Sequence, residues 1–96
     1  MEPLFIYPIL KEAIPALLFP REEVLTNRPA IEQRSRDIVR ALALGNLERQ
    51  KVRIFFQDLN SVKRVETTVW GVTDQAVILK AGACIPICRI IRVQWV

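Results

Sequence analysis

Histidine is absent from this chain of 96 residues. The side chain that most readily moves protons near neutral pH is therefore missing, and with it the commonest zinc ligand. Serine and cysteine nucleophiles of the histidine-assisted kind are excluded. Glycine occurs three times, too rarely for a glycine-rich phosphate cradle, and no phosphate loop or nucleotide fingerprint is present. Cysteine occurs twice, as Cys84 and Cys88. Two thiols make no disulfide framework and point to a reducing compartment. On one straight strand they would stand about 13 Å apart, beyond the ~7 Å that a disulfide spans. They could pair only across a bend, and as metal ligands they lack two partners. They read as small buried or half-buried side chains. No strand spacing brings Glu66 to Asp74, so no carboxylate pair follows. The chain reads as non-enzymatic, with no catalytic residues, cofactor or metal.

What is present is apolar and mildly basic. About half of the residues, 51%, are hydrophobic, which argues for one folded domain rather than disorder. Fourteen Lys and Arg against ten Asp and Glu leave a net charge of +4. That excess allows a polyanionic partner but is equally what a solvated surface carries.

Residues 1–27 read as an apolar, proline-containing extension and connector, and residues 28–96 as the folded domain. The run PLFIYPILKEAIPALLF, residues 3–19, is too short for a membrane span, and Lys11 and Glu12 stand at its centre. Glu2 precedes it and no A-x-A-like site follows, so it is not a signal peptide either. Pro8 and Pro15 prevent one long helix. A soluble monomer would not leave such a run exposed. Burial is expected, against the domain or in a dimer; poor order and a start placed too far upstream stay open as alternatives.

Asn27 or Thr26 can cap a helix from about Arg28 to Leu44, with Pro29 in its first turn and Gly45-Asn46 as its stop. Ile31, Ile38, Ala41 and Leu42 form its apolar stripe. Arg34, Arg36, Asp37 and Arg40 fall away from that stripe, as a solvated or phosphate-facing side.

Five short strands follow: KVRIFFQD, KRVETTVWGVT, AVILK, ACIPI and IIRVQWV. Val52, Ile54 and Phe56 point inward by alternation. Asp58-Leu59-Asn60-Ser61, Thr73-Asp74-Gln75 and Ala81-Gly82 make turns. Val65, Thr67, Val69 and Gly71 share one face of the long second strand, which Gly71 lets bend. Arg64, Glu66, Thr68 and Trp70 share the other. Pro86 requires an edge or a turn. Ile90 is out of phase with Ile85, Ile87, Ile91, Val93 and Trp95, so a turn near Cys88-Arg89 must split the last stretch. Trp95 is expected in the core.

One helix before five bent strands predicts a mainly β fold, a small antiparallel barrel. KVRI, VTDQAVILK and IPICRIIRV resemble strand elements of the bacterial Sm-family RNA chaperone. The resemblance covers roughly residues 45–96 and implies an Sm-like, SH3-type barrel. Gln75 matches a glutamine of that family's uridine pocket. Ala76 stands where an aromatic residue follows it, and Pro86, Ile87 and Cys88 replace a Tyr-Lys-His signature. The RNA-contacting lysine and histidine are thus gone, and a hexameric ring is not implied. ALALGN, KVRI, VETTVW, VILKAG and IPI also resemble a group of small bacterial proteins of unknown function, over about residues 30–93. VTDQAVILKAGACIPICRI is similar to bacterial pleckstrin-like domains, the second-ranked fold.

The functional expectation is a cytoplasmic interaction or assembly module, homo-oligomeric or with a protein partner, and no membrane. The alternative is binding of RNA or another single strand through a basic face of Arg53, Arg64, Trp70, Gln75 and Arg92. A tryptophan beside arginines suits base stacking or an interface hot spot. The more ordinary expectation is that Trp70 covers a barrel end or packs under the helix.

Overall fold

A computed structural model describes residues 5–96; Glu2, Pro3 and Leu4 of the sequence argument lie outside it. Strand β1 (Tyr7–Ile9) and a 3₁₀ segment (Lys11–Ala16) come first. Helix α1 spans Arg28–Glu48. Strands β2 (Val52–Gln57), β3 (Val62–Thr67), β4 (Val69–Val72), β5 (Ala76–Leu79), β6 (Cys84–Pro86) and β7 (Ile90–Trp95) follow. They form a four-stranded sheet ordered β1-β3-β2-β7 and a three-stranded sheet ordered β4-β5-β6.

The closed five-stranded barrel expected from the sequence is not formed. The described residues hold seven strands in two sheets, and helical and strand residues are about equally common, so the fold is not mainly β. Two interruptions explain this. The run 63–73, read as one bent strand, breaks at Thr68, and its halves join different sheets. Pro86 ends β6 on an open edge, where a residue without N–H is tolerated. A 3₁₀ turn, Ile87–Arg89, then carries the chain across to β7. The pleckstrin-like alternative fails too, because α1 is the sole α-helix among the described residues and precedes β2.

Local chemistry accounts for the elements. Asn27 caps α1, its side-chain oxygen accepting from the Ala30 N–H at 2.9 Å, with Pro29 in the first turn. The helix does not stop at Gly45-Asn46 but runs to Glu48, and Arg49 ends it with φ of 55°. Gly45 serves a close approach instead: a Cβ there would lie 2.5 Å from the Val69 carbonyl oxygen of β4. The buried stripe of α1 is Arg34, Ile38, Ala41 and Gly45, so Arg34 belongs to the packed side and not to the solvated one.

The core holds Val52, Ile54, Phe56, Val65, Val69, Val77, Leu79, Ile85, Ile90 and Val93, with Ile38 and Ala41 from the helix. Val52, Ile54 and Phe56 point inward as alternation requires. A register shift in the β2–β7 pairing leaves Ile91 as an extra residue, which lets Ile90 and Val93 both face inward. Trp95 only packs at the margin of the core, with the Arg40 guanidinium 5.0 Å from its ring. Cys84 is exposed, contrary to the expectation of burial, and Cys88 is half-buried; both are free thiols.

The N-terminal segment docks in cis. β1 pairs in parallel with β3, Ile14 is buried in the core, and the Phe19 ring lies 5.9 Å from that of Phe56. No helix of the described residues is long and apolar enough to cross a membrane.

The connector, residues 20–27, has no regular structure, so side chains must tie it down. Two buried arginines do so. Arg34 donates to the Glu23 carboxylate at 2.6 and 2.7 Å and to the Ile90 carbonyl at 2.9 Å. Its Nε is buried without a partner. Arg89 donates to the carbonyls of Gln57 at 3.0 Å and Glu22 at 2.7 Å. The Val24 N–H adds a bond to the Cys88 carbonyl at 2.9 Å. The hydrogen bond from Arg34 holds the Glu23 carboxyl below its ordinary value of 4.5, against the upward push of burial.

Candidate functional site

The five residues expected to form one basic, aromatic face fall in three separate places. Arg53, Arg64 and Arg92 lie on the outer face of the four-stranded sheet. In register, Arg53 stands opposite Glu66 on one side, and Phe55 stands between Arg64 and Arg92. Arg53 Nε donates to the Glu66 carboxylate at 3.1 Å, which offsets its charge. The Arg92 guanidinium lies 4.4 Å from the centre of the Phe55 ring. Phe55 is only 6% exposed, so this ring offers no open stacking surface. Arg64 lines a small cleft of about 200 Å³ with Pro8, Ile9, Arg53 and Glu66.

Gln75 lies elsewhere, in the turn between β4 and β5. The Thr73 hydroxyl accepts the N–H groups of Gln75 and Ala76 at 3.1 and 2.9 Å and so builds that turn. The Gln75 carbonyl accepts from the Ile87 N–H at 2.9 Å. Gln75 borders a cleft of about 670 Å³ against the connector, shared with Arg21, Glu23, Arg34, Pro86 and Cys88. Of the charges in this cleft, Glu23 and Arg34 pair with each other, and Arg21 and Asp74 also line it.

Trp70 is 53% exposed, so it is not covered by the helix or the sheet ends. The cause is a bulge. Val69 pairs with Leu79 and Gly71 with Ile78, which leaves Trp70 as the extra residue of β4. Val69 keeps its place in the core and the indole turns outward. It lines an open groove of about 550 Å³ with Gly45, Asn46, Arg49, Thr68 and Lys80. None of Arg53, Arg64, Arg92 or Gln75 lines it.

Three elements build this groove. The last turns of α1 bring Gly45, Asn46 and Arg49 against β4, because Gly45 has no side chain to hold them off. Thr68 is the buried break between the sheets, and its carbonyl accepts from the Lys80 N–H at 3.0 Å. The hairpin that follows places Ala81 and Gly82 at φ of 70° and 92°, and the Leu79 N–H donates to the Ala83 carbonyl at 2.7 Å. Lys80 is thereby fixed at the groove edge. Neither Lys80 nor Arg49 forms an ion pair among the described residues, and no carboxylate lines the groove.

Arg49, Lys80, Asn46 and Gly45 are the site residues that sequence reasoning missed. Among the described residues, no three of Cys, Asp and Glu converge as metal ligands do.

A second polar centre is structural. Asp58 is 2% exposed, and its Oδ1 accepts the N–H groups of Asn60 and Ser61, both at 2.9 Å. Lys63 Nζ donates to Oδ2 at 2.6 Å. Burial alone would raise the Asp58 pKa, but the lysine and the two N–H groups together bring it below its ordinary 3.8.

The chain matches no protein-family description, no curated protein and no solved structure.

Proposed function

We propose that this chain is a non-catalytic assembly module of the cytoplasm that associates with a second copy of itself through its N-terminal edge. One observation supports the reading most: β1 is the outer strand of the four-stranded sheet and presents apolar side chains to solvent. Phe5 and Tyr7 form an edge-to-face pair with ring centres 4.4 Å apart and are 58% and 48% exposed. Leu10 and Leu18 are 74% and 69% exposed. The Leu59 N–H donates to the Leu18 carbonyl at 2.8 Å, so exposed Leu59 continues the same surface. An apolar patch on an unpaired strand edge favours strand or side-chain pairing with another chain.

Removing the whole segment would be a poor test, because Ile14 belongs to the core. Tyr7→Lys with Leu10→Lys leaves Ile14, Leu17 and Phe19 in place. The expected result is a dimer for the wild type by light scattering and a monomer for the double variant. A wild-type monomer at high micromolar concentration, or a dimer unaffected by the substitutions, overturns the proposal.

A further inference from the structure

The Trp70 groove lies apart from β1 and differs from that edge in chemistry, although Lys80 also lines a small cleft with Lys11, Glu12 and Pro15 of the 3₁₀ segment. Its lining includes the exposed Trp70 indole, which makes no aromatic pair and no cation–π contact among the described residues. It is also lined by Arg49 and Lys80, which form no ion pair among the described residues, and no described carboxylate lines it. Asn46 and Thr68 add hydrogen-bonding groups. A volume of about 550 Å³ lies within the range of ~300–1,000 Å³ common for small-ligand pockets.

From this combination we infer that the groove binds a nucleotide unit, with a base stacked on Trp70 and its phosphate held by Arg49 and Lys80. Stacking needs an exposed π-face, and the β4 bulge turns the Trp70 indole outward to provide one. Phosphate needs positive charge that is not already neutralised, and Arg49 and Lys80 meet that requirement where Arg53 does not. The end of α1 places its weak negative pole nearby, roughly half a charge, against two full positive charges. The amide of Asn46 can both donate to and accept from a base edge. An acidic peptide would use the cations but leave the indole without a planar partner.

The unit can be a free nucleotide or part of a single strand, and the two are separable. A labelled short oligothymidylate is titrated with the full chain at about 50 mM salt and then at rising salt. Thymidine monophosphate and polyglutamate serve as competitors. Binding is expected to weaken with salt, and Arg49→Gln with Lys80→Gln should flatten the log–log salt slope by roughly one unit. Trp70→Ala should weaken binding about 5- to 150-fold, the usual range for one stacking aromatic, and Trp70→Phe should recover most of it. Arg92→Gln on the outer sheet face should leave affinity unchanged.

The monophosphate competing as well as the oligomer assigns the groove to free nucleotides; much weaker competition assigns it to strands. The inference is overturned by no binding at low salt or by full affinity in Trp70→Ala. It is equally overturned if polyglutamate competes as well as the oligomer, or if Arg92→Gln loses binding while the Arg49 and Lys80 variants keep it. Trp70 and Lys80 are exposed, so these variants should keep the wild-type melting temperature, which separates lost binding from lost fold.

Discussion

The outer face of the four-stranded sheet and the groove beside Trp70 contain the same ingredients in opposite states. On the sheet, arginine and aromatic ring satisfy each other: Arg92 lies over Phe55, and Arg53 is paired with Glu66. In the groove, Trp70, Arg49 and Lys80 line an open space, with no cation–π contact at Trp70 among the described residues. Residue types on one strand face therefore say little about availability. Pairing in register decides whether a basic, aromatic cluster is structure or a binding surface.

The comparison can be broken first at Phe55. Phe55→Ala should cost about 3 kcal/mol, the low end for a buried phenylalanine, since long arginine side chains can partly refill the gap. A denaturant midpoint close to the wild type would show that Arg92 and Phe55 do not support each other. Gly45→Ala should come next, at about 1–3 kcal/mol destabilising, because the new methyl meets the Val69 carbonyl. Helix propensity alone predicts the opposite sign, a gain of about 1 kcal/mol. Thermal melting of this variant therefore tests whether close helix–strand packing builds the groove.

Asp58→Asn should cost about 2 kcal/mol, since Lys63 loses a buried charged partner. The acid dependence has a definite sign. Asp58 binds its proton less readily folded than unfolded, as does Glu23. Both therefore stabilise the fold above their ordinary values of 3.8 and 4.5, and that contribution is lost as pH falls below them. Urea titrations across that window should show a shallower acid decline in Asp58→Asn. Glu66→Gln should change stability by less than about 1 kcal/mol, as half-exposed pairs do. Trp70→Ala should have the smallest effect, within about 0.5 kcal/mol. A large loss there would make Trp70 a structural residue and remove the contrast between the two regions.

Alternation read β2 well, because Val52, Ile54 and Phe56 all reach the core. The three turns at Asp58, Thr73 and Ala81, the Asn27 cap and the split near Cys88 were also legible from turn and cap chemistry. The break at Thr68 was not, because no Gly, Pro or Asn stands there in KRVETTVWGVT, and its one glycine, Gly71, points to a bend three residues later. Gly45 misled for a related reason: the sequence shows that a side chain is missing but not whether conformation or contact requires it. Arg34 was placed on the solvated side because of its charge, although it stands three residues after Ile31 and four before Ile38 and is buried with the stripe. Its partner Glu23 lies in the unstructured connector, eleven positions away. Of the candidate site, only Trp70 was legible; Arg49 and Lys80 join it through helix and hairpin geometry.

The parallel pairing of β1 with β3 has a consequence in time. Tyr7 finds its register opposite Lys63, far along the chain. A growing polypeptide emerges N-terminus first. Phe5 through Phe19 must therefore wait, uncovered, until β2 and β3 have been made and paired. Such distant contacts are also slow to close. The segment is thus made well before the strand it pairs with and cannot dock until β3 exists. In that interval its apolar side chains, including the later-buried Ile14 and Phe19, are open to whatever else the cell offers them.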